Sequence, residues 1–288
     1  MQTYLDCLPC LVRQTIEAVR MASDDAALQE NICRLAMEEM SRIDFSSPPP
    51  LLAQQIHRLL RRETGGDPYR EAKEQANHLA LSLLPRLEEK VRKSAAPLET
   101  ALRLAIAGNI IDMGVGFSPQ FEEKLLYDTI DHALGTPFKA DIEALSAAVE
   151  KAETILYLID NAGEIVFDRL LIALLPMKKI TAVVKSTPII NDATMTDAET
   201  AGLPKMVRVR DNGSDAPGTV LASCSPEFLD LYQGAELIIA KGQAHYETLN
   251  EENKDIFFLL KAKCPVVAED LQCHVGDMVL RRSRSYGG

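Results

Sequence analysis

Small polar residues follow an apolar run near the middle of the chain, where Ile155–Ile159 ends in Asp160, Asn161 and, soon after, Gly163. Apolar residues then recur at helical spacing, which predicts a strand, a tight turn and a helix. The unpaired N–H groups of the predicted helix start favour anions. A carboxylate, an amide oxygen and an anion-binding helix start suit a metal ion and a phosphate together. Alternatively, Asp160 or Asn161 only caps the helix.

The second half of the chain alternates short β-rich runs with segments of helical length. This alternation predicts βαβ units and a mostly parallel sheet covered on both faces, which is a Rossmann-like three-layer α/β/α sandwich. The last run is followed by Glu269 and Asp270. The predicted strands are Ile155–Ile159, Ile180–Val184, Met206–Val209, Leu237–Ala240 and Pro265–Ala268.

Oxygen donors and two lysines are predicted to meet at the carboxyl ends of these strands, where open α/β sheets bind ligands. Asp160, Asn161 and Asp192 carry the hard oxygen ligands that Mg²⁺ and Mn²⁺ prefer. An ion held there would activate a water molecule for attack on phosphorus. Lys185 and Lys241 would neutralise the phosphate oxygens, although each lysine taken alone also reads as a solvated loop charge.

The first half of the chain is predicted to be helical, since no strand pattern competes there. We place the boundary in Gly135–Leu145, which divides the chain into a helical domain (1–140) and an α/β domain (141–288). The predicted helices are Leu8–Met21, Ala26–Met40, Leu51–Glu63, Pro68–Lys93, Leu98–Met113 and Pro119–Leu134.

Two polar residues interrupt an apolar segment of the helical half. Asn109 and Asp112 are three apart and share one helix face. A buried polar pair needs partners, so this face either makes a hydrogen-bonded contact between helices or lines the cleft as part of the phosphate site.

The cysteines form no disulfide framework, because the six are scattered along the chain. Cys7 and Cys10 have the spacing of a metal or redox pair. Zinc would require two further ligands, such as Cys33, Cys273 or His274. Two small apolar residues at the start of a helix is the simpler interpretation.

Composition excludes several classes of protein. The net charge of −11 over 288 residues argues against a general nucleic-acid binder, which needs a basic surface. No apolar run reaches the roughly 20 residues of a membrane span, and the first residues lack the basic and apolar regions of a signal peptide. We therefore expect a cytoplasmic protein with no nucleic-acid or membrane partner; its oligomeric state cannot be predicted.

Six motifs in consistent order resemble the damage-control phosphatase family, formerly domain of unknown function 89, and its stand-alone prokaryotic branch. The resemblance implies a helical N-terminal region on a Rossmann-like sandwich and a phosphatase site with a divalent metal (Mg, Mn, Co or Ni). It implies Asp160, Asn161 and Asp192 as metal ligands and Lys241 as a phosphate contact. The motifs are Cys7–Leu11, Asp67–Tyr69, Gly108–Asp112, Leu158–Glu164, Pro188–Asp192 and Lys241–Glu247.

The motif Lys241–Glu247 departs from the family pattern at His245, where we expect Asn. A bulkier ring there would alter the contacts with substrate. The favoured function is hydrolysis of a small phosphorylated metabolite, such as a sugar phosphate or a damaged phosphometabolite. Asp160, Asp192 and Lys241 are the predicted catalytic residues, and Gly163, Glu164, Lys185, Lys241, Asn109 and Asp112 are the predicted phosphate-binding residues.

Two other functions are compatible with the residues. An S-adenosylmethionine-dependent carboxyl methyltransferase would use the same cleft, although no GxGxxG turn follows the first strand. A sensor without catalysis would bind a metal or metabolite and use its cysteine pair to report redox state. Asp160 acting directly as nucleophile is an alternative to the activated water.

Overall fold

The helices of the N-terminal region follow the apolar periodicity of the sequence. The structure is a computed structural model and describes residues 1–108, 130–132 and 134–284. Local signals explain individual ends: the Asp25 carboxylate caps α2 by accepting from the amides of Ala27 and Leu28, and Gly65 ends α3 in the left-handed conformation. The helices are α1 (Cys7–Ala22), α2 (Ala26–Met40), α3 (Pro49–Thr64), α4 (Arg70–Lys93) and α5 (Pro97–Ala107).

Shorter helices alternate with strands in the rest of the chain. These helices are α6 (Ile142–Lys151), α7 (Glu164–Ile172), α8 (Met195–Thr200), α9 (Pro226–Gly234), α10 (Gln243–Leu249) and α11 (Pro265–Asp270). The strands are β1 (Phe138–Ala140), β2 (Ile155–Leu158), β3 (Ile180–Val184), β4 (Arg208–Asp211), β5 (Leu237–Lys241), β6 (Ile256–Lys261) and β7 (Met278–Arg282). No helix of the described residues is both long and apolar enough to cross a membrane.

The strands form one sheet in the order β1-β7-β6-β5-β2-β3-β4. The five strands from β6 to β4 run parallel, β7 is antiparallel to β6, and β1 is parallel to β7. Apolar side chains of α4, α5, α7 and α8 pack on one face of this sheet, and those of α9, α10 and α11 pack on the other. The predicted three-layer α/β architecture is confirmed.

The fifth predicted strand, Pro265–Ala268, is wrong, because these residues begin helix α11. Pro265 occupies the first helical turn, where its missing N–H costs nothing. The run of two valines and an alanine lacks the length to distinguish a strand from a buried helix turn. Glu269 and Asp270 consequently lie at the end of this helix and not at a strand end.

The strand that lies beside β5 in the sheet is β6, an apolar run ending in Lys261 that the sequence analysis missed. It pairs with β5 along Ile256–Leu259 and buries almost every side chain. The analysis also missed β1 and β7. Arg281 and Arg282 belong to β7, and Arg282 pairs with Asp255 at 2.7 Å.

The boundary predicted at residue 140 stays a prediction. Strand β1 lies before it and joins the sheet, and one apolar core runs from α4 and α5 into the strands. The predicted helix Pro119–Leu134 falls mostly outside the described residues.

Helix α3 is tied to the loop after β4 by a charged contact. The Asp215 carboxylate accepts hydrogen bonds from Gln54 Nε2 at 2.6 Å, from Arg58 Nε at 2.8 Å, and from Arg61. Burial alone would raise the pKa of Asp215, but the bonds from Arg58 and Gln54 outweigh it and lower the pKa to about 2. The contact joins the N-terminal helices to the loop after β4.

We predict that Asp215→Asn lowers the free energy of unfolding by about 1.5–3 kcal/mol at pH 7, since charge-assisted bonds are lost. The folded pKa of Asp215 is depressed, so its contribution is present above the unfolded pKa of about 4 and is lost as the pH falls toward 2. Urea unfolding at pH 7 and pH 3 measures both effects.

The matched control is Asp230→Asn, an exposed aspartate, which should change the free energy by less than about 0.5 kcal/mol. If the free energy of unfolding of the wild type exceeds that of Asp215→Asn by as much at pH 3 as at pH 7, the assigned contact is contradicted.

Candidate active site

The candidate site lies where the order of the strands reverses. Strand β2 has β3 on one side and β5 on the other, and the chain proceeds outward in both directions from it. Crevices beyond the carboxyl ends of strands at such a switch point are the usual ligand sites of open α/β sheets. Asp160 follows β2, Lys185 follows β3, and Lys241 ends β5.

Gly242 brings the backbone after β5 against the carboxylate of Asp160. It has φ +80° and ψ 165°, a region essentially reserved for glycine. A Cβ at this position would lie 1.9 Å from Asp160 Oδ2. The glycine in this motif is therefore required by both its backbone conformation and its contact with the site.

The three predicted metal ligands are brought together by backbone pairing. Asn161 and Asp192 form an isolated antiparallel bridge, and the amide of Ala193 donates to the carbonyl of Asp160 at 2.8 Å. Asp160, Asn161 and Asp192 are all buried, with 5%, 4% and 4% of their surface exposed. The loop after β3 thus folds back beside the end of β2.

This donor set suits a divalent cation. Burial, then the charges of Glu164 and Asp192, raises the pKa of Asp160 well above its usual value. Asn161 Nδ2 donates to Asp160 Oδ2 at 2.9 Å and to Glu164 Oε2 at 3.1 Å, which relieves part of the repulsion. A cation held by these hard oxygens would relieve more of it.

The predicted ligand set contains two carboxylates, Asp160 and Asp192, and one amide, Asn161. The carboxylates alone therefore do not form a cluster of three acidic residues. Among the described residues, no group of three His, Cys, Asp or Glu side chains is arranged to hold a metal ion. Asn161 and solvent would have to complete the coordination of any ion bound by Asp160 and Asp192.

Lys241 is fully buried and its three ammonium protons are occupied. Its Nζ donates to the Ala105 carbonyl at 2.8 Å and to Glu164 Oε1 and Asp168 Oδ1, each at 2.7 Å. Burial by itself lowers the pKa of Lys241, but Asp168 and Glu164 more than offset this and raise it. Lys241 can reach a phosphoryl group only by giving up one of these bonds, so its predicted phosphate contact stays a prediction.

Lys185 is also buried but has fewer partners. Its Nζ donates to the Gly218 carbonyl and lies 3.5 Å from Asp192 Oδ2. Within the described part of the chain, these two acceptors leave one ammonium proton for a ligand. Lys185 is the lysine whose geometry best suits a phosphoryl oxygen.

The predicted anion-binding start of α7 is occupied by the protein itself. The amide of Gly163 donates to Asn77 Oδ1 at 2.7 Å, and the amide of Glu164 donates to the Ala162 carbonyl at 2.8 Å. The phosphate-binding roles of Gly163 and Glu164 stay predictions. Asn77, a buried residue of α4, was missed because a lone asparagine in a polar helix gives no sequence signal.

Asn77 also fastens the site from its other side, because its Nδ2 donates to Asp197 Oδ1 in the first turn of α8 at 2.8 Å. The α3 residue Arg61 donates to the Pro188 carbonyl at 2.7 Å. Ile190 has φ +46°, a strained conformation for a β-branched residue, and packs against the apolar cluster of α1 to α3. The N-terminal helices therefore hold the loop that carries Asp192.

Lys263 is a second residue that the sequence analysis missed, because it follows the unpredicted strand β6. It is exposed, and its charge opposes the rise in the pKa of Asp160 and of Glu247. The backbone amide of Lys263 donates to Gln243 Oε1 at 2.9 Å. A cationic side chain thus stands near the opening of the crevice.

The remaining predicted residues have mixed outcomes. Asn109 and Asp112 lie outside the described residues. Cys7 and Cys10 are at the start of α1, half-buried and exposed respectively. Burial raises the pKa of the Cys7 thiol, which opposes metal ligation and redox reactivity.

We predict that Gly242→Ala lowers the free energy of unfolding by about 2–4 kcal/mol, because it adds backbone strain and an overlap with Asp160. Gly234→Ala is the matched control, since a Cβ there meets nothing within 4 Å and should change the value by less than about 0.5 kcal/mol. Equal effects in urea unfolding would refute the close approach.

We also predict that Lys241→Met lowers the free energy of unfolding by about 3–5 kcal/mol, because Glu164 and Asp168 lose their buried counter-ion. Adding Asp168→Asn to Lys241→Met should restore part of the loss. Lys205→Met, at an exposed lysine, is the control. A Lys241→Met protein as stable as this control would show that the cluster does not support the fold.

Comparison with known proteins identifies the family of this chain. The family model of the damage-control phosphatase ARMT1-like domain matches residues 3–279. Two proteins named damage-control phosphatase are similar over nearly their whole lengths. One from Pyrococcus horikoshii is 35% identical, covering 99% of each chain; one from Archaeoglobus fulgidus is 36% identical, covering 96% of this chain and 97% of the relative.

An uncharacterized protein of Methanocaldococcus jannaschii is 37% identical, covering 96% of this chain and 93% of that protein. The crystal structure of a Pyrococcus horikoshii protein of the domain of unknown function 89 family superposes with a TM-score of 0.89 at 35% identity, covering 99% of this chain and 100% of the other. Sequence, length and fold agree, and the chain belongs to the damage-control phosphatase ARMT1-like family.

Proposed function

We propose that this chain is a divalent-metal-dependent phosphomonoesterase that hydrolyses a small phosphorylated metabolite. Membership of a phosphatase family supports the reaction class. The observation that carries the proposal is the meeting of Asp160, Asn161 and Asp192 with Lys185 at one end of the central strands. Oxygen ligands for a cation and a positive charge for phosphoryl oxygens are the two requirements of phosphate ester hydrolysis.

Asp160, Asn161 and Asp192 would hold the cation, which is Mg, Mn, Co or Ni in this proposal. Once bound, it would polarise the phosphoryl group and lower the pKa of a coordinated water. Gly242 leaves room for the Asp160 carboxylate to face the crevice. Burial of the three residues strengthens their attraction for a bound cation.

Lys185 would donate its remaining ammonium proton to a phosphoryl oxygen as negative charge develops there. Its hydrogen bond to Gly218 and its ion pair with Asp192 fix the ammonium group before substrate arrives, so no reorganisation is needed in the transition state. Lys241 pairs with Glu164 and Asp168 beneath the site. The exposed Lys263 would attract the anionic substrate toward the crevice.

The reaction is a water attack on phosphorus with departure of the alcohol, which leaves inorganic phosphate. An alternative route has Asp160 attack phosphorus and form an aspartyl-phosphate that water then cleaves. Both routes use the same residues. We place the activity in the cytoplasm, with a small anionic metabolite and not a nucleic acid or membrane as partner.

The test is hydrolysis of p-nitrophenyl phosphate by metal-stripped protein, with Mg²⁺, Mn²⁺, Co²⁺ or Ni²⁺ added back. We expect a metal to restore turnover, Asp160→Ala to reduce kcat/KM at least about 100-fold, and Lys185→Met to reduce it about 10- to 100-fold, since each removes a group that stabilises the transition state. The control Asp24→Ala replaces an exposed aspartate and should have wild-type activity.

Turnover that no metal restores, or that survives in Asp160→Ala, would refute the proposal. Acid quenching of a single turnover distinguishes the two routes, because only an aspartyl-phosphate leaves the phosphoryl group covalently bound to the protein.

A further inference from the structure

His245 is a buried histidine of the crevice that the proposed reaction does not use. It lies in the first turn of α10, just after β5, with 2% of its surface exposed. Its Nδ1 is 2.6 Å from the backbone oxygen of Lys241. The ring is therefore held at the carboxyl end of β5 by its own preceding strand.

This contact settles the position of the ring proton. A carbonyl oxygen can only accept a hydrogen bond, so Nδ1 carries the proton. Burial lowers the pKa of His245 well below its usual value, and the positive charges of Lys185 and Lys241 lower it further. The ring is neutral, and Nε2 has a lone pair that no donor among the described residues engages.

The two lysines also locate the ring relative to the site. Lys185 follows β3 and Lys241 ends β5, with β2 between these strands. Gly242 lies against the Asp160 carboxylate, and the ring is bonded to the oxygen of Lys241, one residue earlier. The ring therefore lies at the same edge of the sheet as Asp160.

A second polar group without a partner lies next to a residue that contacts Lys185. Gly218 accepts from Lys185 and packs so closely on α10 that a Cβ would lie 2.2 Å from the Ala244 oxygen. The next residue, Thr219, is 1% exposed, and its buried Oγ1 has no hydrogen-bond partner among the described residues. Buried polar groups without partners are uncommon in folded proteins and indicate a place for a ligand or water.

We propose that His245 determines substrate specificity by accepting, at Nε2, a hydrogen bond from a hydroxyl of the organic group of the phosphate ester. A lone pair rejects phosphoryl oxygens, which are also acceptors, and selects a donor. The nearby ammonium of Lys185 disfavours an amine donor through like-charge repulsion. A hydroxyl remains, and it can donate to Nε2 while accepting from the hydroxyl of Thr219.

This inference rests on the proposed phosphatase function and narrows its substrate to esters that bear a hydroxyl near the phosphate. It is tested by the ratio of kcat/KM for glycerol phosphate to that for n-propyl phosphate, which lacks the hydroxyls. We expect His245→Ala to lower this ratio about three- to tenfold, the effect of one neutral hydrogen bond. His245→Asn, whose amide oxygen still accepts, should retain part of the preference.

The control His274→Ala replaces an exposed histidine and should keep the wild-type ratio. A parallel fall for both esters in His245→Ala would show a merely structural role and overturn the inference. A ratio unchanged in His245→Ala would also overturn it.

A readout without turnover separates this inference from the proposed function. In ¹⁵N-labelled, metal-stripped wild-type protein, the His245 signal is assigned by its loss in His245→Asn. We expect an unprotonated Nε2 whose resonance shifts with millimolar glycerol phosphate and not with propyl phosphate. If this shift is observed without any hydrolysis, the hydroxyl contact stands and the proposed phosphatase function is rejected. A protonated or unresponsive Nε2 overturns the contact.

Discussion

The rest of the site depends on the hydrogen bonds that the buried ammonium of Lys241 donates. It bonds to a carbonyl of α5 and to Glu164 and Asp168 of α7, so one strand end holds two helices. The hydroxyl of Tyr157, within β2, donates to the same carboxylate of Asp168 at 2.7 Å. Removing Lys241 leaves Glu164 and Asp168 without their counter-ion in the interior, which costs several kcal/mol. The cluster therefore fixes β2, β5 and α7 relative to one another beneath the crevice.

The N-terminal helices hold in place the two loops of the candidate site, the turn after β2 and the loop after β3. Asn77 fastens the turn after β2 to the start of α8, Arg61 holds the Pro188 carbonyl, and the strained Ile190 packs on the helical cluster. Backbone strain persists only where surrounding contacts exceed its cost. Because Asp192 follows Ile190 closely, the position of this predicted ligand depends on helices remote from it in sequence.

Patterns within short stretches of sequence predicted much of the sheet and its polar edge. Ile180–Val184 is a strand as predicted, and the polar residues after β2, β3 and β5 lie at one edge because parallel strands end together. The same reasoning failed for Pro265–Ala268 and missed β6. Short apolar runs fit a strand or a buried helix turn equally well, and only pairing with β5 decides between them.

The sequence by itself determined the α/β architecture, the strands β2, β3 and β5, and the candidate oxygen donors that follow them, because these depend on local periodicity and motif spacing. The tertiary structure alone decided what each polar group does. Lys185 and Lys241 look alike in sequence, yet among the described residues Lys185 donates one hydrogen bond, to the Gly218 carbonyl, and Lys241 donates three. The partners of a buried charge come from distant segments, such as Ala105, and no local pattern specifies them.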